Sequence, residues 1–142
     1  LELDSIKGDD TNGHVDNMVR FIDDENLVYL ASTDKSYVNY DLAKELKNQL
    51  ESIKKKSKII KDIYPIFHDD RDTLYNDNKY YPYSKLNFII TSNCIIFPSI
   101  TNNDISIIDS LNDLPIRKIK YNINCEASLI ECGGLHCLSM NI

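Results

Sequence analysis

The sequence predicts an α/β fold built from two units, each with two strands, a helix and a third strand. Three observations indicate this fold: paired runs of β-branched and aromatic residues around polar turns, a helical repeat after the first pair, and a second occurrence of the same order. One such unit leaves a face of its sheet uncovered. We therefore expect neighbouring blades of a propeller-like α/β assembly that residues 1–142, a single domain by length, do not complete.

The first unit is expected at about residues 14–66. Apolar runs at 18–22 and 27–31 flank the polar turn DDEN and predict two strands. From residue 38 to about 55, apolar residues recur every three or four positions, at Leu42, Leu46, Leu50 and Ile53. This spacing predicts an amphipathic helix, and the lysines that follow it suit a helix C-terminus. A third apolar run at 59–66 predicts the strand that completes the unit.

The second unit is expected at about residues 86–121. It repeats the order of strands and helix of the first unit, although few residues are identical between the two units. Runs at 87–91 and 94–98 flank the dipeptide SN and predict a hairpin. The residues TNND predict an N-cap ahead of a short helix at 105–111. An apolar run at 116–121 predicts the last strand of this unit.

Two further segments lie outside these units. The connection at 68–85 is polar, rich in Tyr and Asn, and longer than most loops, so it is either a functional lid or an enlarged surface loop. The terminal segment 129–142 alternates apolar and polar residues after two glycines, and we expect a final strand there.

The charge of the chain argues against a nucleic-acid partner. The net charge is −6, and the one strong basic cluster, at 54–58, falls where the first helix should end. Nucleic-acid binding requires clustered Lys and Arg, whereas cationic residues at a helix C-terminus complement the helix dipole. The acidic surplus is compatible with a small cationic ligand.

The apolar runs and the cysteines predict a cytoplasmic protein. Apolar runs are far shorter than the roughly 20 residues of a membrane span, and no secretory leader pattern opens the sequence. The cysteines form no CxxC pair, so we expect reduced thiols at Cys94, Cys125, Cys132 and Cys137. The chain starts at Leu1 with a pattern of regular elements almost at once, so we expect it to be a piece of a longer protein.

The motif GHVDN places His14 and Asp16 two residues apart at the entry to the first strand. A histidine beside a carboxylate gains an orienting partner, which suits a general acid and base. The same spacing also occurs in turns that only stabilise a surface. A thiol elsewhere in the chain would distinguish these interpretations, because a nucleophile and its base need only be near in space.

The best candidate thiol is Cys137 in the segment GGLHC. Its two preceding glycines allow a close backbone approach and unusual dihedral angles. A free cysteine is more often a small buried apolar residue, and we interpret Cys94, Cys125 and Cys132 in that way. A zinc site from His14, Asp16, His136 and Cys137 is disfavoured, because the ligand spacing matches no structural zinc pattern and adjacent residues on a predicted strand point to opposite faces.

Four stretches of the sequence carry a resemblance to a known family. They are GDDTNGHVDNMVRF, SKLNFIITSNCIIFPS, LPIRKI and GGLHCLSMN, and they occur in the family's order across residues 6–142. The chain resembles the C-terminal part of agmatine deiminase and the related bacterial-type peptidylarginine deiminases, in the guanidino-group-modifying superfamily. It departs from them at Lys85, where the family often has an aromatic residue.

The resemblance implies a five-bladed α/β propeller of the pentein type, of which this chain holds only the later units. It implies Cys137 as nucleophile, His14 as acid and base, and Asp16 as a catalytic and guanidinium-binding carboxylate, with Asp10 as a further substrate-binding acid. The implied reaction converts agmatine to N-carbamoylputrescine and ammonia through a covalent thiouronium intermediate. No cofactor or metal is implied, and no position matches the family's upstream guanidinium-binding acids.

Several alternatives stay open from the sequence. The substrate is either agmatine or a peptidyl arginine, and the acidic balance favours the dicationic agmatine. The chain is otherwise a catalytically incomplete fragment whose open sheet edges make it an assembly or binding module. An amidinotransferase shares the Cys and His chemistry but fits the two motifs less well. Expected partners are a guanidinium substrate and either the missing N-terminal blades or further copies of the chain, without nucleic acid or membrane.

Overall fold

A computed structural model describes residues 3–9, 13–101, 114–131 and 133–139 of the chain. The strands described are β1 (Val19–Phe21), β2 (Asn26–Ala31), β3 (Asp62–Phe67), β4 (Leu74–Asn76), β5 (Lys79–Tyr81), β6 (Ile89–Ile90), β7 (Cys94–Ser99) and β8 (Ile119–Asn124). The α-helices described are α1 (Tyr40–Lys56) and α2 (Glu126–Ile130), and short 3-10 helices lie at Val15–Asn17 and Asp70–Asp72. The predicted mixed α/β class is confirmed.

The first unit has the predicted order of strands and helix. Strand β2 pairs antiparallel with β1 and parallel with β3. Helix α1 supplies the crossover that the parallel pair requires. It buries Ala43, Leu46 and Leu50, and its last turn carries the predicted lysines. The observed helix begins two residues later than the predicted one.

The second unit has the same sheet arrangement. Strand β7 pairs antiparallel with β6 and parallel with β8. The predicted strand at 116–121 is displaced to 119–124, because the register that pairs Cys94 with Ile119 fixes where β8 begins. The apolar residue Ile116 packs against the core ahead of the strand. The predicted helix at 105–111 lies outside the described residues.

The connection at 68–85 contains a β-hairpin that the sequence did not predict. Strands β4 and β5 pair antiparallel around Asp77 and Asn78, which both have positive φ values of 48° and 59°. Two successive residues with positive φ are typical of a type I′ hairpin turn, in which Asn and Asp are favoured. The sequence did not predict this hairpin within the connection.

The predicted terminal strand at 129–142 was also wrong for the residues that the structure describes. Helix α2 ends at Ile130, and residues 135–138 form a turn instead of a strand. Backbone hydrogen bonds from Leu138 to Gly134 and from Ser139 to His136 hold this turn.

The main core joins both units. Helix α1 and the two three-stranded sheets contribute buried residues to one cluster, in which the rings of Phe88 and Phe97 lie 5.1 Å apart. A smaller cluster joins β4, the segment after β5 and α2 through Leu74, Tyr83 and Leu129. In contrast, β8 exposes Ile119, Tyr121 and Ile123 on alternating positions. Within the described ranges, no helix combines the length and apolar character of a membrane-spanning segment.

A buried polar cluster of His68, Asp72 and Lys85 ties the 68–85 connection to the second unit. Lys85 Nζ donates to Asp72 Oδ2 over 2.7 Å and to the carbonyl of Phe67 over 3.1 Å. The backbone N–H of Lys85 donates to His68 Nε2, and His68 Nδ1 lies 3.0 Å from the carbonyl oxygen of Ile66. These contacts require a neutral imidazole with its proton on Nδ1. They fix the chain segment that leads directly to Asn87.

We expect His68 to make the protein less stable as the pH falls from about 6.5. Burial, and then the nearby charge of Lys85, lowers the pKa of His68 to about 3. As the pH falls below about 6.5, His68 takes up a proton in the unfolded chain but not in the folded chain. The free energy of unfolding therefore falls by up to about 1.4 kcal/mol for each pH unit of acidification.

Urea unfolding between pH 4.5 and 7 measures this effect in the His68→Gln variant, which should show a shallower pH dependence. Asp72 acts in the opposite direction, because burial raises its pKa, so the variant must be compared with the wild type under the same conditions. Equal slopes in the variant and the wild type would contradict the assignment.

Candidate active site

The predicted histidine and aspartate lie on the 3-10 helix that leads into β1. His14 is the N-cap residue of that helix, and its backbone N–H donates to Asp9 Oδ2 over 3.0 Å. Asp16 lies within the helix and is half-buried, whereas His14 is exposed. The tight turn brings both side chains to the same end of the first sheet.

The turn at 135–138 brings Cys137 to these two residues. Its Sγ lies 3.8 Å from His14 Nδ1 and 3.8 Å from Asp16 Oδ2. The three residues predicted to carry the chemistry are therefore neighbours, although they come from opposite ends of the chain. Asp10, the further predicted substrate-binding acid, lies outside the described residues.

Asn87 occupies the centre of this arrangement and was missed in the sequence. Its Nδ2 donates to Asp16 Oδ2 over 3.2 Å and to Asn17 Oδ1 over 2.9 Å, and lies 3.5 Å from Cys137 Sγ. Its Oδ1 accepts from the backbone N–H of His136 over 2.7 Å. The sequence signal for this role was the asparagine of the segment KLNF, because an asparagine that is buried next to Phe88 requires polar partners.

Gly134 allows Asn87 to approach the turn. A Cβ atom at this position would lie 2.4 Å from Asn87 Oδ1, which is closer than atoms can approach. The second glycine of GGLHC therefore allows the close contact between Asn87 and this turn.

His136 reaches the same carboxylate as Asn87. Its Nδ1 lies 2.8 Å from Asp16 Oδ2. His136 and Cys137 were predicted to point to opposite faces of a strand, and this prediction was wrong, because both residues lie on a turn. His136 and Asn87 both contact Oδ2 of Asp16. A guanidinium that bound both carboxylate oxygens of Asp16 would therefore share Oδ2 with these two residues.

Arg20 supports the site from β1. Its Nη1 donates to the carbonyl oxygens of Leu86 and Phe88, on either side of Asn87, and its guanidinium lies 4.5 Å from the Phe88 ring centroid. Burial lowers the pKa of Arg20, while the charges of Asp16 and Cys137 oppose this shift. A fixed cation thus lies near both Asp16 and Cys137.

A cleft opens beside Cys137 and is lined by Gly8, Asp9, His14, Lys79 and Tyr81 among others. Its volume is about 50 Å³, against roughly 300–1,000 Å³ for a typical ligand pocket. The cleft between the described residues is therefore much smaller than a typical ligand pocket.

Comparison with known proteins identifies the family. The family model for Porphyromonas-type peptidyl-arginine deiminase matches residues 1–142. The chain belongs to this family. Members of the Porphyromonas-type peptidyl-arginine deiminase family are deiminases, which hydrolyse C–N bonds. A search of curated proteins gives no match.

Solved structures of related deiminases share the fold. A protein provisionally named a peptidyl-arginine deiminase is 27% identical with a TM-score of 0.83, over 96% of this chain and 41% of that chain. A cysteine-to-serine variant of C. jejuni agmatine deiminase with substrate bound is 25% identical with a TM-score of 0.74, over 93% and 38%. The agmatine deiminase of Enterococcus faecalis is 19% identical with a TM-score of 0.78, over 94% and 41%, and shows the fold alone. The chain spans about two fifths of these proteins.

Proposed function

We propose that this chain carries the nucleophile, the acid and base, and one substrate-binding carboxylate of a deiminase that hydrolyses a guanidinium group. The observation that carries the proposal is the convergence of His14, Asp16 and Cys137, with both Sγ distances at 3.8 Å, beside a cleft. Membership of the family supports the class of reaction.

In the first half of the proposed reaction, Asp16 binds the N–H groups of the planar guanidinium and leaves its central carbon open to attack. The Cys137 thiolate forms an S–C bond to that carbon. His14 gives a proton to the leaving nitrogen as the C–N bond breaks, and ammonia departs. A covalent thiouronium intermediate remains on Cys137.

In the second half, water replaces the sulfur. His14, now neutral, accepts a proton from the water as its oxygen attacks the intermediate. The C–S bond breaks, the remaining proton of the water passes to solvent, a ureido product leaves, and Cys137 returns as a thiolate. These steps use the side chains named here and water.

Agmatine is our proposed substrate, because it is dicationic and the chain carries a net charge of −6. The product would then be N-carbamoylputrescine, a precursor of putrescine in polyamine synthesis. Peptidyl arginine is the second candidate, favoured by the description of the family that matches. Reduced thiols suit a cytoplasmic location for either reaction.

We also propose that the two units are blades of a five-bladed α/β propeller. Their common sheet order, β1-β2-β3 and β6-β7-β8, supports this, as does the span of about two fifths of the related structures. The remaining blades, or another copy of the chain, would supply further walls of the substrate site.

Formation of ureido product from agmatine and from a short arginine peptide tests the proposal. We expect turnover that vanishes in the Cys137→Ala variant, because the nucleophile is lost. The matched thiol control is Cys94→Ala, at the start of β7, which should keep its activity. No turnover of either substrate would overturn the proposal for this chain by itself and would favour the assembly module.

A further inference from the structure

We propose that His14, Asp16 and Cys137 form an inhibitory binding site for a divalent, thiol-seeking transition metal such as Zn²⁺. One ligand atom from each residue lies within 4.8 Å of the other two. The set combines a thiol, an imidazole and a carboxylate, which are the three ligand types that proteins use for zinc. Thiolate and imidazole ligands also select against Mg²⁺ and Ca²⁺.

The spacing of the ligand atoms fits a tetrahedral metal. Zinc binds sulfur at about 2.3 Å and nitrogen or oxygen at about 2.0–2.2 Å, so neighbouring ligands of a tetrahedral site lie about 3.5 Å apart. Cys137 Sγ lies 3.8 Å from both His14 Nδ1 and Asp16 Oδ2. Contraction of these two distances, and of the His14–Asp16 separation that lies within 4.8 Å, would complete the three-ligand arrangement and leave a fourth position for water.

Neighbouring groups fix one of the ligands in place. His136 Nδ1 lies 2.8 Å from Asp16 Oδ2, and Asn87 Nδ2 donates to the same oxygen over 3.2 Å. Groups that hold a ligating side chain in this way raise metal affinity. Both His14 and Cys137 are exposed, so a metal ion can reach them from solvent.

The charge near the site limits the affinity. The Arg20 guanidinium interacts with Asp16 and Cys137 and adds positive charge. We therefore expect weaker binding than in a closed structural site with four protein ligands. Binding releases the thiol proton of Cys137 to solvent as the metal–sulfur bond forms.

Metal and substrate would compete for the same groups. Binding of the metal rests on the geometry of three side chains, whereas inhibition rests on the proposed function. A metal-bound Cys137 cannot attack a guanidinium, and a metal-bound Asp16 cannot bind one.

Titration of the reduced protein with Co²⁺ tests the site without any need for turnover. We expect thiolate-to-cobalt charge-transfer absorption that saturates at one Co²⁺ per chain and is displaced by Zn²⁺. The Cys137→Ser variant should lose the absorption, and His14→Ala should weaken binding at least about tenfold. The control Cys94→Ser should keep it. Absence of the absorption in the wild type, or its persistence in Cys137→Ser, would overturn the proposal.

Protection from alkylation gives a second measurement. Bound Zn²⁺ should slow the reaction of Cys137 with iodoacetamide, as followed by peptide mass spectrometry, and a chelator should restore the rate. Metal binding in a chain without turnover would leave this inference standing while the proposed function fails. Turnover that Zn²⁺ leaves unchanged, in a chain that shows no cobalt absorption, would overturn the metal site while the proposed function stands.

Discussion

Replacement of His14 by alanine is expected to lower the rate of ureido-product formation by about 10²- to 10⁴-fold, the usual contribution of a general acid and base. His14 Nδ1 lies 3.8 Å from Cys137 Sγ, close to where a leaving nitrogen and an attacking water would sit. The side chain is exposed, so the fold should persist. Turnover of agmatine and of an arginine peptide measures the effect.

The control for this prediction lies on the same turn. Val15 is 54% exposed, and Val15→Ala should keep both the activity and the urea midpoint of the wild type. An unchanged rate in His14→Ala would remove this histidine from the mechanism, and equal losses in both variants would point to disruption of the turn.

Replacement of Lys85 by methionine is expected to destabilise the protein by about 3–5 kcal/mol, because it leaves the Asp72 carboxylate buried without its partner. Only 6% of the Lys85 side chain and 5% of the Asp72 side chain are exposed, and their charged atoms lie 2.7 Å apart. Urea unfolding at pH 7 measures the loss.

Two controls make the prediction specific. Lys54→Met removes a partner from the more exposed pair with Asp62 and should cost no more than about 1 kcal/mol. The double variant Lys85→Met with Asp72→Leu should recover much of the loss, since a buried ion pair can often be replaced by apolar residues. A loss below about 1 kcal/mol in Lys85→Met alone would contradict the importance of the pair.

The pH dependence of the loss follows from Asp72. Burial raises the pKa of this carboxyl against the attraction of Lys85, so the stability that a neutral Asp72 provides is lost as the pH rises through its folded pKa. In Lys85→Met, the deficit should therefore shrink as the pH falls through the raised pKa of Asp72 and the carboxylate takes up a proton.

The sequence predicted the first unit well because its elements are short and strongly patterned. Leu46 and Leu50 face the core as the helical spacing required. The strand β8 was displaced because its start depends on pairing with Cys94, which is a tertiary contact. The prediction that His14 lies near Cys137 came from the resemblance to a known family, because local sequence patterns carry no information on contacts between chain ends.

The contacts that the sequence did not predict have two causes: the wrongly predicted terminal strand, and side-chain contacts between distant parts of the chain. The prediction of a terminal strand pointed His136 away from Cys137, whereas the turn brings both to Asp16. Asn87 received no role because its partners come from distant parts of the chain. The pair of Lys85 with Asp72 was equally inaccessible, because it forms across the 68–85 hairpin that the sequence reading took for a loop.

The turn at 135–138 has a consequence for how the protein loses activity. Cys137, the proposed nucleophile, lies on a segment that belongs to neither of the three-stranded sheets. The backbone N–H of His136 holds this segment to Asn87, whose carbonyl and side-chain oxygens both accept from it. Segments held by few buried contacts open at a lower free energy than the whole fold. Heating or mild denaturant should therefore inactivate the protein by local opening of this turn before either sheet melts, so activity and circular dichroism would report different midpoints.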